Sequence, residues 1–378
     1  MNILAIETSC DDTGVAILKI QNSKFKILSN IVSSQPIHQN YGGVFPMMAK
    51  REHQTNLVPT LIEALKLAKL INSKQKILNP KQIQKLKEIF EREEKLFEYT
   101  KNFLENYEKP KIDAIAVTYG PGLEPCLWVG VNFAKALSYI WELPIIPVNH
   151  IEAHILVNFL DSRFQILDSK KVFPAMALVV SGGHTQLILM KKIGKYEIIG
   201  ETRDDAAGEC FDKCAKILGL GYPGGPIISK IASEMKESNI KLPRPMMNSK
   251  DYDFSFSGLK TAVLYAVRDK KQDTITKQYV SEMCAEIQQA IIDVLLKKTL
   301  QAAKAYKAKT IILGGGVSAN QELRKQFKIH NLEFRILFPE KKLSTDNGLM
   351  IAMAGYFNRT KKIAWQKLSA HANLRIGK

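Results

Sequence analysis

Two histidines four residues apart, His150 and His154 in Asn149-His150-Ile151-Glu152-Ala153-His154, are the first residues of this chain that could do chemistry. One helical turn apart, two imidazoles share a face and can hold one metal ion together. A hydrolytic H-E-x-x-H site carries its acid directly after the first histidine. Glu152 stands two residues after it, roughly 200° around a helix of about 100° per residue, and points away from such a metal. A third ligand has to come from elsewhere. Asp346, in Ser344-Thr345-Asp346-Asn347-Gly348 at a helix start, is a candidate that spacing alone does not single out.

Three turns suit an anion. Ser181-Gly182-Gly183-His184-Thr185 lies between two predicted strands, where small residues let backbone N–H groups approach closely. Gly314-Gly315-Gly316-Val317-Ser318-Ala319-Asn320 leaves a strand and opens a helix, a geometry that favours nucleotides. Neither has P-loop or dinucleotide-fingerprint spacing, and either alone could be a tight turn. Glu7-Thr8-Ser9-Cys10-Asp11-Asp12-Thr13 offers hydroxyls and acids for phosphate positioning or proton removal. Cys10, beside acids, is no activated thiolate. Cys210 and Cys214, one turn apart without other thiols nearby, are poor support for a metal site.

The elements that must position these residues repeat. Predicted strands at 2–6, 14–20 and 26–32 precede a helix over 47–70, a strand at 114–118, a helix to about 141 and a strand at 145–148. The second half runs likewise: strands at 175–180, 185–191 and 196–201, helices around 209–218 and 279–305, then strands at 310–313 and 333–338 with helices between and after. A three-strand meander followed by alternating helices and strands, occurring twice, is the pattern of a duplicated α/β actin-like ATPase (ASKHA, RNase H-like) fold, two lobes around a cleft. The expected division is 1–148, 149–360 and a tail, 361–378, packing back on the first lobe. Residues 72–109 do not fit the repeat. Their apolar positions fall at helical spacing, and Asn79-Pro80 offers a cap with proline at the first helical position. An amphipathic insert, one long helix or a hairpin, is expected there. It either packs on its own lobe or docks a partner.

Composition narrows the class. Of 378 residues 46% are hydrophobic and 24% charged, which suits about two folded domains and excludes disorder as the dominant state. No apolar run approaches the roughly 20 residues of a membrane span, and the start lacks a basic-then-apolar signal layout. Five cysteines are too few and scattered for a disulfide framework. A soluble, cytoplasmic protein is expected. Lys+Arg 54 against Asp+Glu 37 gives +17 and a pI of about 9.4, suited to a polyanion such as nucleic acid or to a merely lysine-rich surface.

These segments, with Tyr41-Gly42-Gly43-Val44-Phe45-Pro46, Asp204-Asp205-Ala206-Ala207-Gly208-Glu209, Tyr222-Pro223-Gly224-Gly225-Pro226 and Phe254-Ser255-Phe256-Ser257-Gly258-Leu259-Lys260, occur in one order that resembles the bacterial TsaD (Gcp/YgjD) family over nearly the whole chain outside the insert. The resemblance implies a tRNA N(6)-adenosine threonylcarbamoyltransferase. Such an enzyme moves the threonylcarbamoyl group of threonylcarbamoyl-AMP onto the exocyclic amine of adenosine 37 in tRNAs reading ANN codons, and releases AMP. It implies one divalent metal, Fe2+ or Zn2+, on His150, His154 and Asp346. It implies an adenylate site, open also to AMP or ATP, at Val179, Val180, Ser181, Gly182, Gly183, Asp212, Gly225 and Asn320. It further implies work with TsaB and TsaE on the product of TsaC, away from membranes. Departures are modest: Asn149 and Ala153 replace a common histidine and glycine without removing a ligand, and Gly221 stands where an aspartate is frequent. The insert lies close to where the family pairs with TsaB. Asp11, on the turn opposing the glycine loop, is the expected acceptor of the amine proton. Two other readings are a metalloprotease, opposed by the position of Glu152, and a nucleotide-dependent scaffold, which leaves the histidine pair without a duty.

Overall fold

The computed structural model describes residues 1–21, 24–160, 169–235, 238–270, 275–330 and 333–377. The first half runs β1 (Asn2–Glu7), β2 (Asp12–Gln21), β3 (Lys24–Ser34), α1 (Pro46–Leu67), α2 (Pro80–Ile89), α3 (Glu94–Asn106), β4 (Ala114–Gly120), α4 (Glu124–Trp141) and β5 (Ile145–Asn149). The second runs α5 (His150–Leu156), α6 (Ser169–Val172), β6 (Ala175–Val180), β7 (Thr185–Lys192), β8 (Lys195–Glu201), α7 (Ala207–Ile217), α8 (Gly224–Ala232), α9 (Ser257–Arg268), α10 (Lys277–Ala305), β9 (Thr310–Gly314), α11 (Gln321–Ile329), β10 (Arg335–Leu337) and α12 (Gly348–Phe357).

One sheet has the order β3-β2-β1-β4-β5 and the other β8-β7-β6-β9-β10. In both, the meander is antiparallel and the fourth strand joins the first in parallel, as Ile3↔Ala114 and Ala175↔Thr310 do. The shared 3-2-1-4-5 order is the duplicated actin-like topology. It follows from sequence: β1 and β6 are apolar almost throughout, which suits a central strand covered on both faces. Because β1, β4 and β5 are parallel, their C-terminal ends share one edge, and Glu7, Gly120 and His150 all arrive there.

Each lobe has a core of its own, and a third apolar cluster joins the lobes through α5 and α12. Although α12 belongs to the second half of the chain, it packs on the first sheet. A Cβ on Gly348 would stand 2.5 Å from Ala16 N, and one on Gly355 2.7 Å from the Ala116 side chain. The division expected at 148/149 therefore follows the repeat, whereas packing crosses it. Residues 361–377 first lie on the first lobe, where Ile363 bridges Ile145 and His371 N–H donates to Tyr119 O. They then reach the second lobe, where Arg375 pairs with Glu201 at 2.9 Å. The tail thus ties both lobes, not the first alone.

The insert is a pair of helices. Asn79 accepts from Gln82 N at 2.8 Å in a capping box, with Pro80 at the first helical position. Leu86, Phe90, Leu96, Phe97, Phe103 and Leu104 are buried in the first lobe's core, so the apolar stripe covers its own lobe.

Candidate metal and adenylate site

β5 ends in Asn149, whose Oδ1 accepts from the N–H groups of Ile151 and Glu152 and so starts α5 at His150. That cap places both histidines on one buried face. The ligand atoms converge: His150 Nε2 to His154 Nε2 is 3.2 Å, His154 Nε2 to Asp346 Oδ1 3.1 Å, and His150 Nε2 to Asp346 Oδ1 3.5 Å. Asp346 arrives from the loop before α12. Donors about 2.0–2.1 Å from a tetrahedral ion stand about 3.4 Å apart, so this two-nitrogen, one-oxygen set fits one face of a divalent-cation shell. Glu152 is turned away: Tyr196 Oη donates to it at 2.7 Å and Asn358 Nδ2 at 2.8 Å.

Glu7, not singled out from its turn by the sequence, is fully buried behind His150. Its Oε2 lies 3.3 Å from His150 Nδ1 and accepts from Thr118 Oγ1 at 2.5 Å, while Oε1 accepts from Ser9 N at 2.5 Å. Ser9 Oγ is 3.1 Å from the same His150 nitrogen. A carboxylate on Nδ1 fixes the tautomer whose Nε2 lone pair faces the ligand cluster. The signal in the sequence was an acid ending a buried apolar strand, which must find a partner. His154 Nδ1 is buried and finds no hydrogen-bond partner among the described residues.

The electrostatics favour a cation. Burial pushes the His150 pKa down, but Asp346 and then Glu7 outweigh it and lift it to about 9. Burial lowers His154. Asp346 is held below the usual carboxylate range: burial opposes this, and His150 and His154 overcome it. Asp12 is pushed up to about 7, by burial first and, after an opposing Ser34 hydrogen bond, by Asp346, Asp11 and Glu7. Asp11 is raised by burial, opposed by the Cys10 hydrogen bond, with Asp346 adding. One buried and three half-buried acids repelling one another, Glu7 with Asp11, Asp12 and Asp346, are the surroundings a positive ion relieves.

The glycine turns adjoin this cluster. Gly315 has φ +84°, and a Cβ there would stand 2.4 Å from Val180 O. A Cβ on Gly314 would stand 2.7 Å from His154 O, and one on Gly208 2.5 Å from Ser181 O. Close backbone approach thus joins the end of β9, the end of β6 and α5. Gly182 and Gly183 are exposed with open space beside them, and Ser181 Oγ accepts from His184 N at 3.1 Å. Burial lowers His184 to about 4, with His150 and His154 adding. Val179 and Val180 are buried beneath the turn. Asp212 accepts from Gly224 N at 2.7 Å and so ties α7 to the start of α8, next to Gly225. Its pKa is raised by burial, opposed by the Gly224 and Gly225 amides, with Asp11 adding from the other lobe. Asn320 caps α11 through Leu323 N and donates to Gln288. Cys210 and Cys214, 3.9 Å apart, are buried in the second lobe's core, outside the ligand cluster.

The profile of one family, TsaD: tRNA N6-adenosine threonylcarbamoyltransferase, matches residues 26–76 and 93–353. The chain is 43% identical to the tRNA N6-adenosine threonylcarbamoyltransferase of Thermosipho africanus (strain TCF52B), over the full length of both. It is 41% identical to the protein of that name from Porphyromonas gingivalis, covering 94% of this chain and 92% of the relative. Among solved structures it is similar to the activator of 2-hydroxyisocaproyl-CoA dehydratase from Clostridium difficile with bound ADPNP, at 12% identity, 96% of each chain and a TM-score of 0.47. No helix among the described residues is long and apolar enough to cross a membrane.

Proposed function

This chain belongs to the tRNA N6-adenosine threonylcarbamoyltransferase family and is a tRNA-modifying transferase; from that premise we propose that threonylcarbamoyl-AMP is its donor and that the acceptor is the exocyclic amine of adenosine 37 in tRNAs reading ANN codons. In the transfer the amine nitrogen bonds to the carbamoyl carbon, the carbon–oxygen bond to the phosphate breaks, AMP leaves, and the amine gives up one proton.

His150, His154 and Asp346 would hold one divalent ion, Fe2+ or Zn2+. When bound, such an ion supplies a Lewis acid for the carbonyl oxygen on which negative charge develops. Glu7 and Ser9 keep the His150 ring turned to the cluster. The Ser181 amide closes the turn on His184 O, which leaves the exposed amides of Gly182 and Gly183 to suit the phosphate above Val179 and Val180, while Asp212, Gly225 and Asn320 suit the adenosine side. Asp11, its pKa raised by burial and so a stronger base than a free carboxylate, is suited to receive the amine proton. On this reading the protein works in the cytoplasm with TsaB and TsaE, on the product of TsaC.

The observation that carries this reading is the junction of the two sites: Gly314 rests on His154 while its neighbour Gly315 rests on Val180. A peptidase reading meets the opposite geometry, because the Glu152 carboxylate is held by Tyr196 and Asn358. The test is mass spectrometry of tRNA nucleosides from a strain lacking the activity, complemented with wild type or His150→Ala. Threonylcarbamoyladenosine restored by wild type and not by the variant is expected. Equal restoration by both refutes the ligand assignment, and restoration by neither refutes the activity.

A further inference from the structure

We propose that the C-terminal strap, residues 359–377, is a track for RNA phosphates that holds the substrate tRNA while its target base enters the cleft; this deepens the tRNA-modifying reading and rests on it. The charge distribution is the first reason. No Asp or Glu occurs after Asp346, and residues 359–378 carry six Lys or Arg in a chain whose net charge is +17. Lys361, Lys362 and Lys367 are exposed, and among the described residues none meets a carboxylate within 4.0 Å.

The second reason is that the strap is already packed on the protein. Ile363 bridges Ile145, Trp365 packs edge-on against Tyr139 with ring centroids 5.6 Å apart, and Leu368 is buried. Apolar side chains face the protein and cations face out, so a polyanion binds without first ordering a tail. The same arrangement disfavours an anionic lipid surface, which needs apolar side chains directed outward.

The third reason is the route. Ile145 begins β5 and His150 follows its end, so the strap starts roughly 15 Å from the ligand cluster at about 3.3 Å per strand residue. It then reaches the cleft edge, where Gly122 N–H donates to Ala372 O at 3.1 Å. A Cβ on Gly122 would stand 2.7 Å from Ser9 O, and Ser9 contacts His150. Phosphates seated along the strap therefore lead a neighbouring loop to the site.

The experiment compares full-length wild type, the triple variant K361Q/K362Q/K367Q and a control triple, K24Q/K26Q/K66Q, for binding of unmodified tRNA between 50 and 400 mM salt. Losing three phosphate contacts is expected to weaken binding about 10- to 100-fold near 0.15 M salt and to lower the slope of log K against log salt by about two to three. The control is expected to bind as wild type does, and all three to melt alike. A strap triple with wild-type affinity and slope, or a control triple equally weakened, overturns the track. Strap-dependent binding to anionic vesicles with tRNA binding unchanged overturns it in favour of lipid. A wild type that makes no threonylcarbamoyladenosine in cells refutes the tRNA reading and the track with it; a wild type that makes it, beside a strap triple that binds tRNA normally, refutes the track alone.

Discussion

His53 gives a prediction whose size can be worked out. It is fully buried in α1, with Nε2 2.8 Å from Cys10 O and Nδ1 2.7 Å from Thr13 Oγ1. A carbonyl only accepts, so Nε2 carries the proton and Nδ1 accepts from the threonine hydroxyl. One neutral ring thus pins both ends of the turn that carries Asp11. Burial pushes its pKa from 6.5 to about 4, outweighing the upward pull of Cys10 O and Glu7. With the folded value below the unfolded one, the unfolded chain takes up the proton first. The contribution is complete above pH 6.5 and is lost as pH falls towards 4. The gap, at about 1.4 kcal/mol per pH unit, is worth about 3 kcal/mol, of which about 2 kcal/mol is gone by pH 5. His53→Gln keeps a donor near Cys10 and cannot titrate. The stability difference between wild type and His53→Gln, from urea midpoints, should therefore shift against wild type by about 2 kcal/mol between pH 7.5 and 5. The common carboxylates cancel in this difference. A pH-independent difference, or a His53 ring signal titrating near 6.5 in NMR, would refute the reasoning.

Three further outcomes are expected. Glu7→Gln should weaken divalent-metal affinity about 10- to 100-fold in a chelator competition, because the partner of His150 loses its charge; unchanged affinity removes its positioning role. Gly315→Ala must force a Cβ at φ +84° against Val180 O and should cost about 1–3 kcal/mol of stability together with adenylate affinity, measured by melting and by calorimetry with AMP. Asp11→Asn should lower kcat about 100-fold or more with little change in KM for tRNA, and full activity would end its proton-accepting role.

Much of the fold was legible because its signals are local. β1, β4 and β6 are short apolar runs bounded by turns, and the observed strands agree with the expected ones to within about two residues. The short helices α8 and α9 were not anticipated. They begin at Gly224 and at Ser257-Gly258, and glycine beside a helix start weakens any propensity signal. The insert's stripe identified helices without saying what covered them, since an amphipathic face looks the same under either partner. Packing of Phe90 and Phe103 into the first lobe decided it.

The histidine pair shows where the division falls. Helical periodicity alone puts His150 and His154 on one face, because residues one turn apart are neighbours in any α-helix. Asp346 is one candidate by its place at a helix start and is singled out only through a resemblance, while Glu7, Gly315 against Val180, and the tail's crossing to Glu201 need the folded chain. Those contacts join segments more than a hundred residues apart, whose approach depends on which faces the two sheets bury and how closely glycine lets backbones meet. Sequence fixes what one helical turn or one strand brings together; distances between distant segments exist only once the cores have packed.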